Sequence, residues 1–316
     1  MNKCDDDFLI NRYNDYSSYI KKIFNERVQK ISINAGFTCP NRDGSKGLGG
    51  CTYCNINSFN PFNSNSAKSI NEQLDKGISF FSKKYSTQKY LAYFQAYTNT
   101  YGNSDELISK YNEALAHPKV IGLVIGTRPD CLSDELVSYL SELAKKKYVS
   151  LEFGVESTLD KSLESVNRCH TFSDTITAFE KTKNRGFSLG AHLILGLPDE
   201  SREDILNHAR NLSKLPVNSL KLHHLQIVKH TRMASQYLAS PELFQFMDSD
   251  TYVDLICDFI ALLRPDIVIE RFIGESPENL LIAPKWNKLK NFQITEKIKN
   301  RLIEKNFWQG KEYSIT

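Results

Sequence analysis

Six short stretches of β-type apolar alternation, each followed by a stretch of helical spacing, set the tightest limit on what this chain can fold into. They fall at residues 28–34, 90–95, 120–126, 148–155, 187–195 and 219–227. Between them the period changes: in 66–85, Ile70, Leu74, Ile78 and Phe81 recur on one helical face. Ser104, Ser133 and Ser201 stand where helix N-caps are needed, and Ser201 with Asp204 spells a capping box. Strands alternating with helices predict a parallel sheet covered by helices, because parallel neighbours need a crossover between them. Six units are too few to close an eight-stranded barrel and suit an open, partial one. A helical stretch at 244–263 leads to a seventh strand-like run, 266–272, and then to a basic, mostly helical tail. The expected organisation is an N-terminal segment over 1–26, a core barrel over 27–240 and a C-terminal extension over 241–316.

Composition narrows the class. With 316 residues, 41% of them hydrophobic, the chain can bury a large core. No stretch approaches eighteen consecutive apolar residues, so no membrane helix is expected. The polar start MNKCDDDFLINRYNDY lacks the apolar stretch of a signal peptide. Seven scattered cysteines are not a disulfide framework, and a reducing cytoplasm is the expected setting.

Three of those cysteines form a group. Cys51 and Cys54 make a C-x2-C hook, and Cys39 lies upstream across a loop containing Gly44, Gly47, Gly49 and Gly50. Three thiolates suit a metal or iron–sulfur cluster that keeps one coordination position for chemistry. Structural zinc, with Cys4, Cys169 or His170 as fourth ligand, is the competing reading. Cys131, Cys169 and Cys257 read as ordinary buried thiols. Polar or special residues then recur at the ends of the strand runs: Gln95, Arg128 with Asp130, Glu156, Gly196 with Pro198, and His223 with His224. In parallel barrels the C-terminal strand ends share one mouth. Strand alternation allows at most one of His223 and His224 to point inward. The tail over 285–311 carries Lys285, Lys288, Lys290, Lys297, Lys299, Arg301, Lys305 and Lys311 with Trp286 and Trp308. That pattern fits RNA contact by phosphate attraction and stacking, or a solvated helix face.

The ordered set GFTCPNRDG…GGCTYCN, FQAYTNTYG, GLVIGTRPDCL, LEFGVES, VNRCH, AHLILGLPDES and LKLHHL resembles the radical S-adenosylmethionine (SAM) superfamily over 27–286. Within it the chain is similar to the YhcC/YtqA-type group, which is related to the Elongator catalytic subunit and includes the Gram-positive enzyme MnmL. The long first spacer between cysteines is the one this group shows. The resemblance implies an α/β fold, a partial (β/α)6 TIM-like barrel with a C-terminal extension. It implies a 4Fe–4S cluster on Cys39, Cys51 and Cys54, with SAM chelated at the open iron. One electron from a flavodoxin- or ferredoxin-like donor then cleaves SAM to methionine and a 5′-deoxyadenosyl radical, which takes hydrogen from the substrate. The matching positions put Tyr53 near the adenine, Glu156 on the ribose hydroxyls, Arg168 on the SAM carboxylate, and Gly196 and Pro198 against the adenine. Many members have Gly-Gly-Glu after strand two for the SAM amino group. This chain has Gln95 there, and Thr98, Asn99, Thr100, Arg128 and Asp130 are further candidates for SAM or substrate contacts. The group implies a tRNA partner: wobble uridine, on the route from 5-carboxymethylaminomethyl to 5-methylaminomethyl (2-thio)uridine. Another small-molecule or protein substrate, and a zinc-stabilised RNA-binding module without catalysis, are the alternatives.

Overall fold

A computed structural model describes residues 11–55, 68–85 and 88–314. Its centre is a seven-stranded, wholly parallel sheet: β1 (Val28–Ile33), β2 (Lys89–Phe94), β3 (Val120–Thr127), β4 (Tyr148–Glu156), β5 (Ser188–Leu195), β6 (Ser219–His224) and a final strand, Val268–Arg271. The six expected strands are all present. The seventh run joins the same sheet beside β6, so residues beyond 240 complete it. In chain order that last strand is β8. A two-residue strand, β7 (Ile227–Val228), pairs antiparallel with β9 (Leu281–Ala283).

The sheet is curled. Lys30 on the first strand meets Glu270 on the last at 2.7 Å. Seven strands laid flat would hold them roughly 29 Å apart, at about 4.8 Å per step. Curling separates two faces with different chemistry. Ile31, Ile33, Ala92, Phe94, Leu123, Ile125, Leu151, Phe153, Leu193 and Leu222 point outward into one continuous apolar core under the helices. The alternate positions, Lys30, Ser32, Glu152, Gly154, His192, Lys221 and His223, point inward. Each fully buried outer side chain contributes roughly 1.5–3 kcal/mol.

The covering helices are α1 (Tyr16–Phe24), α2 (Ile70–Ser82), α3 (Ser104–Ala116), α4 (Asp134–Ala144), α5 (Asp160–Ser165), α6 (Phe172–Thr182), α7 (Arg202–Ser213), α8 (Arg232–Ala239), α9 (Ser249–Leu262) and α10 (Asn291–Glu304). Ser133 and Ser201 cap α4 and α7 as expected, and the Ser201–Asp204 box is formed. Ser104 is not a cap. Asn103 takes that place, its side-chain oxygen accepting from the amides of Asp105 and Glu106, and Ser104 becomes the first helical residue. Ile70, Leu74 and Ile78 bury the inner face of α2.

The basic tail docks by charge pairing. α10 packs on α9, and Lys297, Arg301 and Lys305 pair with Asp250, Asp254 and Asp258 of that helix. Lys288 pairs with Glu278, and Lys299 with Glu296. Trp286 is stacked on His224 at 4.1 Å between ring centres, and its indole N–H donates to the Met247 carbonyl. Much of the tail's charge, and one of its two tryptophans, therefore serves packing. Among the described residues no helix is long and apolar enough to cross a membrane.

Candidate active site

At the C-terminal ends of the strands the curled sheet encloses a cavity of about 240 Å³. One end is built by the loop after β1. Cys39, Cys51 and Cys54 all border the cavity and all are free thiols. The loop is held by tight backbone bonds, Arg42 N to Cys39 O and Cys54 N to Cys51 O, and by two outside clamps. Asn167 donates to the Gly50 carbonyl from one side, and Arg232 at the start of α8 donates to the same carbonyl from the other. Asn41, fully buried in the loop, donates to the Asn167 carbonyl at 2.5 Å and to the Cys51 sulfur at 3.5 Å. Asn41 lies within the GFTCPNRDG stretch, but nothing in the sequence assigned it this bracing role.

Arg168 organises this end. Its guanidinium donates to the Gly154 carbonyl at 2.5 Å, to His170 Nε2 at 3.0 Å and to the Cys51 sulfur at 3.6 Å, and stands 3.6 Å from Glu156. Gly154 is required for this crowding: a Cβ there would lie 2.7 Å from both Arg168 Nη2 and Glu156 Oε1. Glu156 sits at φ +67° where β4 breaks register, an uncommon conformation for a non-glycine residue. Burial raises the Glu156 carboxyl above its ordinary range against the opposing pull of Arg168. Burial and the neighbouring Arg168 hold His170 neutral, its pKa lowered to about 3. Arg128 forms a two-pronged pair with Asp130 at 2.9 Å and donates to the Arg168 carbonyl at 2.7 Å, so this pair supports Arg168.

Tyr53 borders the cavity, and its hydroxyl is buried without a partner. Gln95 also borders it, but its side-chain oxygen already accepts from Ser32 at 3.0 Å. Asn99 and Thr100 tie strand ends together instead: Asn99 donates to the carbonyls of Phe94 and Gly126, and Thr100 bonds to Thr127 and Cys131. Gly196 and Pro198 lie in the turn after β5. Gly196, at φ +83°, comes near Met247, and neither residue is on the cavity wall. Cys131 and Cys257 are buried as expected, while Cys169 is exposed. Cys4 lies outside the described residues.

The other end draws on three separate motif segments, LEFGVES, AHLILGLPDES and LKLHHL, whose meeting no single stretch of sequence spells. Glu152, on the inner face of β4, receives Lys30 at 2.9 Å, Lys221 at 2.5 Å and His192 at 3.0 Å. Lys30 also holds Glu270, and Lys221 donates to the Tyr93 hydroxyl at 3.1 Å. Burial drives Lys221 down to about 8, and burial lowers His192 to about 4. Glu152 is held well below the usual carboxylate range by Lys221 and Lys30, which outweigh its burial. His192 and His223 lie face to face at 6.2 Å, and the His224 ring turns to Trp286. Of the adjacent pair His223 faces His192, while His224, stacked on Trp286, also borders the cavity.

Three free thiols on one wall, Cys51 buried and Cys39 and Cys54 half-buried, form a donor set suited to a cation. Burial and Cys51 push the Cys54 thiol up to about 12 against the opposing pull of Arg42 and Arg168, so a bound cation favours its ionised form. Among the described residues no three His, Cys, Asp or Glu side chains stand close enough to chelate a single ion. A 4Fe–4S cluster takes each thiolate on a different iron and accommodates a wider ring. The orphaned hydroxyl of Tyr53, close to the Arg168–Glu156 pair, leaves polar groups for a ligand beside it.

Comparison with known proteins agrees. The Radical SAM superfamily profile matches residues 34–212, more than half of the chain. The chain belongs to the radical SAM superfamily. The Radical_SAM C-terminal domain profile matches residues 217–304. The uncharacterized protein YtqA of Bacillus subtilis is 33% identical over 300 residues, 95% of this chain and 92% of YtqA. Protein YhcC of Escherichia coli is 33% identical over 274 residues, 86% of this chain and 87% of YhcC. Elongator complex protein 3 of Dictyostelium discoideum is 27% identical over 178 residues, 55% of this chain and 31% of that protein. The structure of archaeal Methanocaldococcus infernus Elp3 superposes with a TM-score of 0.65 at 15% identity, over 90% of this chain and 64% of that one. The chain is a radical SAM protein of the YhcC/YtqA group, related to Elongator, and its cofactors are a 4Fe–4S cluster and SAM. This displaces the structural-zinc reading.

Proposed function

We propose that the protein is a tRNA-modifying radical SAM enzyme acting on wobble uridine, on the route from 5-carboxymethylaminomethyl to 5-methylaminomethyl (2-thio)uridine. The group's membership supports the reading, and so does one structural observation. The cavity runs from the cysteine loop to a second polar end, so cofactor and a separate reacting group have distinct walls. Cys39, Cys51 and Cys54 would hold the cluster; Tyr53, Glu156 and Arg168 would orient SAM. Together these groups, once reduced by a flavodoxin- or ferredoxin-like donor, supply a 5′-deoxyadenosyl radical for hydrogen abstraction. The chain's own part is to position, to neutralise charge and to exclude water, since a radical quenched by solvent is lost.

The ion pairing of the tail favours a second reading, a small-molecule or protein substrate, because Lys288, Lys297, Lys299, Arg301 and Lys305 are already matched by carboxylates. Nucleoside analysis of tRNA from cells lacking the gene separates the two. The wobble reading expects 5-carboxymethylaminomethyl uridine to accumulate and the 5-methylaminomethyl form to disappear. Unchanged wobble nucleosides remove it.

A further inference from the structure

Among the described residues, the end of the cavity away from the cysteines has one cation too many. Lys30 and Lys221 are matched by Glu152 and Glu270, Arg128 by Asp130, and Arg168 by Glu156. Arg42 faces the cysteine end, lying over the Tyr97 ring at 5.5 Å. Arg271, the last residue of β8, borders the opposite end. Among the described residues no carboxylate comes within ion-pair distance of it, and its Nε is buried without a partner. Glu275, on the same wall, is committed to the Asn291 amide at 2.6 Å. Beside Arg271 the Nε2 of His223 is likewise buried and unpartnered. The ring is pinned from behind, since a Cβ on Gly274 would lie 2.6 Å from its Nδ1.

Two buried nitrogens left unpaired cost free energy unless a ligand completes them. A half-buried guanidinium without a carboxylate partner favours an anion, and its planar fork fits a carboxylate. We propose that Arg271 and His223 form a recognition site for a carboxylate carried by the substrate, at the end of the cavity away from the cysteines. The inference gives the wobble reading a reason to select a carboxymethyl substituent. It rests on that reading only for the identity of the molecule, not for the charge of the group. A phosphate would offer the same anionic oxygens and is the competing source.

Two measurements on the reconstituted holoenzyme test it. In the ¹⁵N-arginine-labelled protein, the Arg271 Nε–H resonance, assigned by its loss in Arg271→Lys, is followed while N-methylglycine, inorganic phosphate or dimethylamine is added. N-methylglycine is expected to shift it and dimethylamine to leave it in place. A shift with phosphate alone, or with none of the three, overturns the carboxylate site. Separately, anticodon stem-loops carrying 5-carboxymethylaminomethyl or 5-aminomethyl uridine are compared for binding. Wild type is expected to prefer the first by about tenfold, the usual worth of a charge-assisted bond, and Arg271→Gln to lose that preference. An Arg271→Gln protein that keeps the preference overturns the proposal. A shift with N-methylglycine but no preference between the RNAs supports the carboxylate site and counts against the tRNA reading alone.

Discussion

The two ends of the cavity are built in opposite ways. The cysteine end is one continuous loop, residues 39–54, braced by a second short segment at 167–170. The far end has no local sequence of its own: Lys30, Glu152, His192, Lys221, His223 and Glu270 come from five strands, and Lys30 and Glu270 are 240 residues apart. At the cysteine end the chain supplies sulfur donors that need a cation from outside. At the far end it supplies its own neutralisation, apart from Arg271. On the proposed function, the difference separates holding a cofactor from receiving a substrate. The first is entrusted to a loop, where spacing alone sets the ligands. The second is entrusted to the sheet, where curvature sets the neighbours.

The largest expected effect breaks the cysteine end. Cys39→Ala, Cys51→Ala or Cys54→Ala should each abolish cluster binding and 5′-deoxyadenosine formation, seen as lost iron and lost visible absorption. Retained cleavage in any of the three would assign the ligands elsewhere. Next comes the far end. Glu152→Leu leaves Lys30 and Lys221 sharing only Glu270 in a buried site, so unfolding stability should fall by about 3–5 kcal/mol in urea titration. A loss below about 1 kcal/mol would mean the network is solvated.

Acid compares both ends at once. His170 is lowered to about 3 and His192 to about 4, with burial the leading cause at each. The unfolded chain takes up a proton near 6.5 that the folded chain refuses until far lower pH. Stability should therefore drop as pH falls from about 6.5 toward 4, by up to ~1.4 kcal/mol per pH unit for each histidine. His192→Gln should flatten that slope, and an unaltered slope would show that His192 does not contribute. Arg168→Lys keeps the charge but not the fork that reaches Gly154, His170 and Cys51. SAM affinity should weaken by roughly tenfold in equilibrium binding, and undiminished affinity would reduce Arg168 to a brace for the loop. The smallest effect concerns the tail. Lys297→Ala, at an exposed pair with Asp250, should change stability by less than about 1 kcal/mol and RNA affinity little.

The strands, most helices and the cysteine loop were legible from local pattern because each is written in contiguous residues. Ser104 misled as a cap because Asn103 immediately before it is an equally good acceptor, and spacing cannot rank neighbours. The sequence left the tail open between RNA contact and a solvated helix face because its cations are close in sequence, whereas Asp250, Asp254 and Asp258 approach only when α9 meets α10.

By itself the amino-acid order determined a parallel helix-covered sheet, three cysteines in one loop, and the family's chemistry. Local hydrogen bonding, alternation and short spacers act between near neighbours, and those are visible in a string. Only the tertiary structure decided that the last strand returns to the first, that Glu152 gathers two lysines and a histidine, and that Arg271 has no counter-charge among the described residues. Whether a buried charge is matched depends on which distant strands the curl brings within about 4 Å.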